Sequence, residues 1–187
     1  MTSRRSSIAG FSLIELLVAV AIITLLTSIV LATTQTVRSR ARDTQRISDV
    51  RQMQNALELF YTSNFRYPDS DNCGATQPNT SWCNSAESQD AFDHWILDDG
   101  GTNLSEFIRI TPIDPRQVGT PNWTPENGGT YYYYSSDADN NQWYMLVFGL
   151  ENFPHDLETQ DGVTNCSDVT NDYGNNNGVI TVGVDCP

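Results

Sequence analysis

The chain is 187 residues long, room for one domain with an extension and little more. Its formal net charge of −13 is unevenly spread: residues 1–66 set eight arginines against four acids, residues 67–187 set two against nineteen, and lysine is absent. Such an acidic distal part argues against nucleic acid as its partner, because binding would press carboxylates against phosphates, and suits a head that has to stay soluble.

In chain order, the first ten residues, MTSRRSSIAG, are short, polar and basic. Composition then switches. Phe11 to Ala32 is apolar apart from Ser12, Glu15, Thr24, Thr27 and Ser28, and no charge occurs from Leu16 to Val37. Twenty-two helical residues rise about 33 Å, enough to cross the hydrocarbon core of a bilayer. No Gly or Pro lies between Phe11 and Tyr67, so nothing stops the helix at a membrane surface. Further on, Ile47, Val50, Met53, Leu57, Phe60 and Tyr61 recur at spacings of three and four, one apolar stripe on a polar helix. The pattern predicts a single helix over 11–63, roughly 80 Å long, ended by Asn64 and the Tyr67-Pro68 pair.

Residues 64–187 read as a small α+β head. A loop-rich stretch to about Gly100 is followed by a short helix over Thr102–Ile108, with Leu104, Phe107 and Ile108 facing inward and Pro112 and Pro115 beyond it. Thr130–Ser136 and Gln142–Leu150 are strand signals joined by the turn-like Asp137–Asn141, an expected antiparallel hairpin. Val179–Val184 is a third strand. Laying the apolar stripe of the long helix on one face of this sheet is the natural two-layer solution.

Four cysteines, at 73, 83, 166 and 186, form no CxxC pair, and His94 and His155 stand apart from them, so zinc spacing is missing. Of three possible pairings the simplest is Cys73–Cys83 with Cys166–Cys186, four buried thiols being the alternative; bridges would place the head outside the cytoplasm. No nucleophile–base arrangement, P-loop or GxGxxG is present, which argues against an enzyme. The aromatic run Tyr131–Tyr134 with Trp143 and Tyr144 reads as core alternating with solvent rather than as a carbohydrate platform. Asp137, Asp139 and Asn141 in one turn, and Asp161, Asp168, Asn171 and Asp172 in the polar segment, are the candidate calcium ligands; no other cofactor is indicated.

The most informative element is Gly10-Phe11-Ser12-Leu13-Ile14-Glu15 ahead of the apolar run. A secretory signal carries its cleavage site after the apolar region, whereas here the basic leader and the Gly precede it, so cleavage would leave the greasy helix on the finished protein. The pattern resembles the prepilin signature of type IV pilins and type II secretion pseudopilins, closely over residues 4–32 and more loosely from Arg42 to Pro68, where it is similar to major, G-type pseudopilins. Many relatives carry a Gly and a Pro in the apolar helix where this chain has Thr24 and Ala32.

The resemblance implies a leader, 1–10, removed after Gly10 by a prepilin peptidase; a methylated N-terminus at Phe11; a long helix, 11–63, with 11–32 in the membrane and then in a filament core; and a head, 64–187. It implies Cys166–Cys186 as a C-terminal disulfide loop, raises the prospect of calcium, and names as partners other pilins in a homo-oligomeric filament, an inner-membrane assembly platform and its ATPase. The chain would sit in the inner membrane with one span and its head outside the cytoplasm. Glu15 makes sense physically as well. A carboxylate in an apolar span costs about 2.5–3.5 kcal/mol on insertion scales, and the α-amino group made at Phe11, offered by a neighbouring subunit, would neutralise it and fix the axial register. The rivals are a non-polymerising single-pass protein with a ligand- or sugar-binding head, and a minor tip pilin for adhesion or DNA uptake. The arginines at 38, 40, 42, 46 and 51 oppose the expected orientation by a simple positive-inside count, and are read as a cluster facing acidic surfaces of adjacent heads.

Overall fold

The computed structural model describes residues 11–73, 82–86, 95–96, 104–116, 129–136, 139–152, 162–171, 173 and 178–187. The chain divides into two compact units, Met1–Arg38 and Ser39–Pro187. Helix α1, Leu13–Asn64, begins in the first and ends in the second. It starts two residues later than the pattern predicts and continues one residue further.

In the second unit, α1 turns Val50, Met53, Leu57 and Phe60 to the interior, almost completely removed from solvent, with Ala56 between them. Arg51, Gln52, Asn55 and Glu58 line its wet side. This is the stripe that the three-and-four spacing marks, and each large side chain in it contributes about 1.5–3 kcal/mol of burial.

The stripe rests on a four-stranded antiparallel sheet in the order β1 (Cys83–Asn84), β2 (Tyr132–Tyr134), β3 (Tyr144–Gly149) and β6 (Val179–Val184). The expected hairpin is present, with Tyr133 opposite Leu146, and β6 pairs along the whole of β3. Alternate residues build one face: Tyr131, Tyr133, Tyr144, Leu146, Phe148, Ile180 and Val182 join the helix stripe in the main core. The other face is also covered. Tyr132, Val147 and Val179 form one patch there, and Trp143, Met145 and Val163 another. A strand buried on both sides has no polar side to show, which is why β3 spells a nearly continuous apolar run.

A two-stranded hairpin, β4 (Val163–Thr164) with β5 (Thr170–Asn171), supplies Val163 to that outer layer. Gly183 has no room for a Cβ, which would run into the Tyr144 carbonyl and the Val163 side chain. The short β1, β4 and β5 were not expected. The short helix expected over Thr102–Ile108 is a 3-10 turn, Leu104–Glu106, with Leu104 buried and Phe107 and Ile108 half-buried as anticipated. Beyond α1, Phe65 takes a left-handed conformation, φ 56°, and its N–H donates to the Tyr61 carbonyl at 2.7 Å.

Candidate functional site: the apolar helix start and the buried arginine

Every residue from Phe11 to Val30 is exposed, Phe11 to 87% and Leu13 to 80%. The polar side chains in this run hide their own polarity. Thr24 Oγ1 lies 3.0 Å from the Val20 carbonyl and 2.9 Å from that of Ala21, Thr27 donates to Ile23, and Ser28 donates to Leu25. With each hydroxyl folded onto the preceding turn, the helix exterior is apolar all round.

Glu15 is the exception. Its carboxylate accepts the Ser12 backbone N–H at 3.3 Å, and the Leu16 N–H donates to the Ser12 carbonyl. Ser12-Leu13-Ile14-Glu15 is a Ser-x-x-Glu capping pattern, in which the glutamate in the first turn reaches back to the cap residue. The structure thus gives Glu15 a partner on its own helix that the sequence reading did not. By length and composition α1 can cross a membrane, and none of its most apolar stretch is buried within the chain.

Residues 5–31 match the family model described as the prokaryotic N-terminal methylation motif. No curated protein and no solved structure matches the chain.

The methylation motif spans Phe11 and Glu15, and Gly10, which lies outside the described residues, also falls within it. A motif of this prepilin type implies processing by prepilin peptidase. The helix runs unbroken through Thr24 and Ala32. The head lies outside the match and has to be read from its own geometry.

In the head, the residue that sequence reasoning misplaced is Arg46. It is completely buried. Its Nε and Nη2 donate to the two oxygens of Asp114, at 2.7 and 3.1 Å, while Nη1 donates to Asp43 at 2.8 Å and lies 2.9 Å from Glu151 Oε1. Asp43 accepts as well the backbone N–H groups of Glu151 and Asn152, both at 2.9 Å, and Asn152 Nδ2 at 2.7 Å. Arg42 closes the cluster through both oxygens of Glu151. Three stretches of chain are therefore tied together: α1, the loop through Asp114, and the exit from β3.

Hydrogen bonds from Arg42, helped by Arg46, outweigh burial and lower Glu151 from its ordinary 4.5 to about 2. Burial alone would lower Arg46, but its bonds to Asp114 and Glu151 prevail and hold it firmly protonated. Arg42 and Arg46 are thus consumed by their own head and do not belong to an outward cluster; Arg38, Arg40 and Arg51 are exposed. Asp43 and Arg46, one helical turn apart, were the available signal. One turn further, Asp49 accepts Tyr131 Oη at 3.0 Å, and burial raises its pKa against that bond and a weaker one from Gln45.

Both disulfides of the simplest pairing, Cys73–Cys83 and Cys166–Cys186, are formed. Among the calcium candidates, Asp139 accepts the Trp143 indole N–H at 2.7 Å, and Asp168 is exposed with φ 58° in the β4–β5 turn. Asp137, Asp161 and Asp172, like His94 and His155, lie outside the described residues. Among the described residues no three His, Cys, Asp or Glu gather to hold a metal ion. Tyr131 and Tyr133 are core, and Tyr132 is buried on the opposite face, beside Trp82.

Proposed function

We propose that this chain is a structural subunit of a type IV pilus or a type II secretion-like pseudopilus, closest in kind to major, G-type pseudopilins, and not an enzyme. The observation that carries the reading is the exposed apolar stretch from Phe11 to Val30, with one carboxylate near its start, inside a methylation motif. A segment greasy all round finds its partners outside its own chain, first in lipid and then in other helices of its kind.

In this reading the leader, 1–10, is cut after Gly10 on the cytoplasmic side, and Phe11 becomes a methylated N-terminus. Residues 11–63 anchor and then polymerise the subunit, and 64–187 coat the filament. The two disulfides support a head outside the cytoplasm. Glu15, which accepts an amide one residue from the cut, meets the new amine of an adjoining subunit, so each subunit enters at a fixed height. The inner-membrane platform and its ATPase lift it from the bilayer. Mass spectrometry of the mature N-terminus tests the reading. A methylated Phe11 is expected; an intact Met1, or a cut beyond residue 30, defeats it.

A further inference from the structure

We infer that the open cleft beside Asp49 takes up an arginine side chain presented by a partner polypeptide, whether or not the chain polymerises. Four carboxylates, Asp43, Asp49, Asp114 and Glu151, gather around α1, and three of them are matched to a cation. Arg46 donates to Asp43 and Asp114 and lies 2.9 Å from Glu151 Oε1, and Arg42 holds Glu151 as well. Asp49 is the exception. It accepts from two neutral groups, Tyr131 Oη at 3.0 Å and Gln45 Nε2 at a long 3.5 Å. Among the described residues no ion pair reaches it. Yet it is only 5% exposed. Burial pushes its pKa up, and the Asp114 charge pushes the same way, against those two hydrogen bonds. A buried carboxylate in that condition gains much from an added cation.

Asp49 also borders open space. A cleft of about 580 Å³ lies between Gln45, Asp49 and Gln52 of α1 and a loop that includes Ile110 and Ile113. The three helix residues stand at i, i+4 and i+7, on one face. Gln45 donates its NH2 to Asp49, and Gln52 donates its own to the Ser48 carbonyl at 3.4 Å, so both amide oxygens are left to accept. Three acceptors on one face answer a planar fork of donors, which a guanidinium carries and an ammonium does not.

The loop side fits the stem of the same side chain. Ile110 and Ile113 are 52% and 43% exposed, apolar walls along which methylenes can lie. A strongly hydrated ammonium would lose water against them. A divalent ion is poorly served by one carboxylate, and among the described residues no three acids gather to hold one. The loop is firmly held, since Trp95 Nε1 donates to the Pro112 carbonyl at 2.7 Å and Arg46 clamps Asp114. The cleft is thus formed before anything enters it, which spares the ordering cost of binding. Around it, residues 67–187 set nineteen acids against two arginines, a field that draws in a cationic segment.

The test titrates the full chain, in an uncharged detergent, with a blocked Gly-Arg-Gly tripeptide. The same peptide with lysine, or with citrulline as the neutral isostere of arginine, is run beside it. Calorimetry reads affinity, and thermal unfolding reads the shift in Tm. The arginine peptide binds and raises Tm by a few degrees near saturation. The lysine peptide binds about fivefold more weakly or worse, and the citrulline peptide does not bind. Asp49→Asn weakens the arginine peptide about tenfold or more, with its own Tm showing that the variant is folded. Gln52→Ala, at an exposed position, weakens it a few-fold and carries the same comparison should Asp49→Asn fail to fold. No binding of the arginine peptide, or equal binding of the citrulline peptide, overturns the inference. So does unchanged affinity in folded Asp49→Asn, which would mark general attraction to an acidic surface. Lysine binding as tightly as arginine overturns the guanidinium assignment.

Discussion

Two stretches of one helix, Phe11–Val30 and Asp43–Tyr61, answer the same physical demand in opposite ways. In the first, no described side chain is buried, although most are apolar. In the second, only a stripe is apolar and that stripe is almost fully enclosed. Polarity follows the same inversion. The first stretch folds its hydroxyls back onto the backbone and keeps one carboxylate at its start; the second buries Asp43, Arg46 and Asp49 among partners drawn from distant loops. A helix surface thus records its surroundings: its own sheet for the second stretch and, in the reading proposed above, lipid and sister helices for the first.

The sharpest way to break the contrast is to remove the one charge from the first stretch. Glu15→Leu leaves membrane insertion intact and abolishes incorporation into filaments, read by comparing the membrane fraction with sheared filaments; normal filaments would end the assembly role. In the second stretch, Arg46→Met takes the buried cation from the buried carboxylates Asp43 and Asp114 and lowers the stability of the full chain by about 3–5 kcal/mol, measured by denaturant unfolding in detergent. Loss of the Cys166–Cys186 bridge, by replacing both with serine, costs about 2–4 kcal/mol in the same assay.

Acid sharpens the comparison further. Glu151 is held at about 2, below its ordinary 4.5, so its contribution is complete above the ordinary value and is lost as pH falls from about 5 toward 2. Glu151→Gln should flatten the Tm profile across that window. Asp49 has the opposite sign, since burial raises it and its charge is a liability at neutral pH. Asp49→Asn should raise Tm slightly at pH 7, a gain that shrinks on acidification. A gain that grew instead would contradict the assignment.

Much of this was legible in the residues themselves. The long helix, its stripe, the central hairpin and β6 all announced themselves by period or by β-branched and aromatic runs, because each is set by local pattern. The two-residue strands β1 and β4 have no period to detect. Strand ends shrank from Thr130–Ser136 to Tyr132–Tyr134 because Ser135 turns aside, its Oγ 2.9 Å from the Trp143 carbonyl. Arg46 was misread because arginine after an apolar span reads as a wet, juxtamembrane charge; its partners lie 68 and 105 residues downstream, beyond any local window. For Glu15, sequence exposed the anomaly of a carboxylate in an apolar run, while its capping contact to Ser12 needed coordinates.

The clamp on Arg46 also sets a timetable. As the polypeptide emerges, residues 38–51 present five arginines against Asp43 and Asp49 alone, before Asp114 and Glu151 have been synthesised. Once those distant carboxylates are in place they hold Arg42 and Arg46, and of the five arginines only Arg38, Arg40 and Arg51 stay exposed.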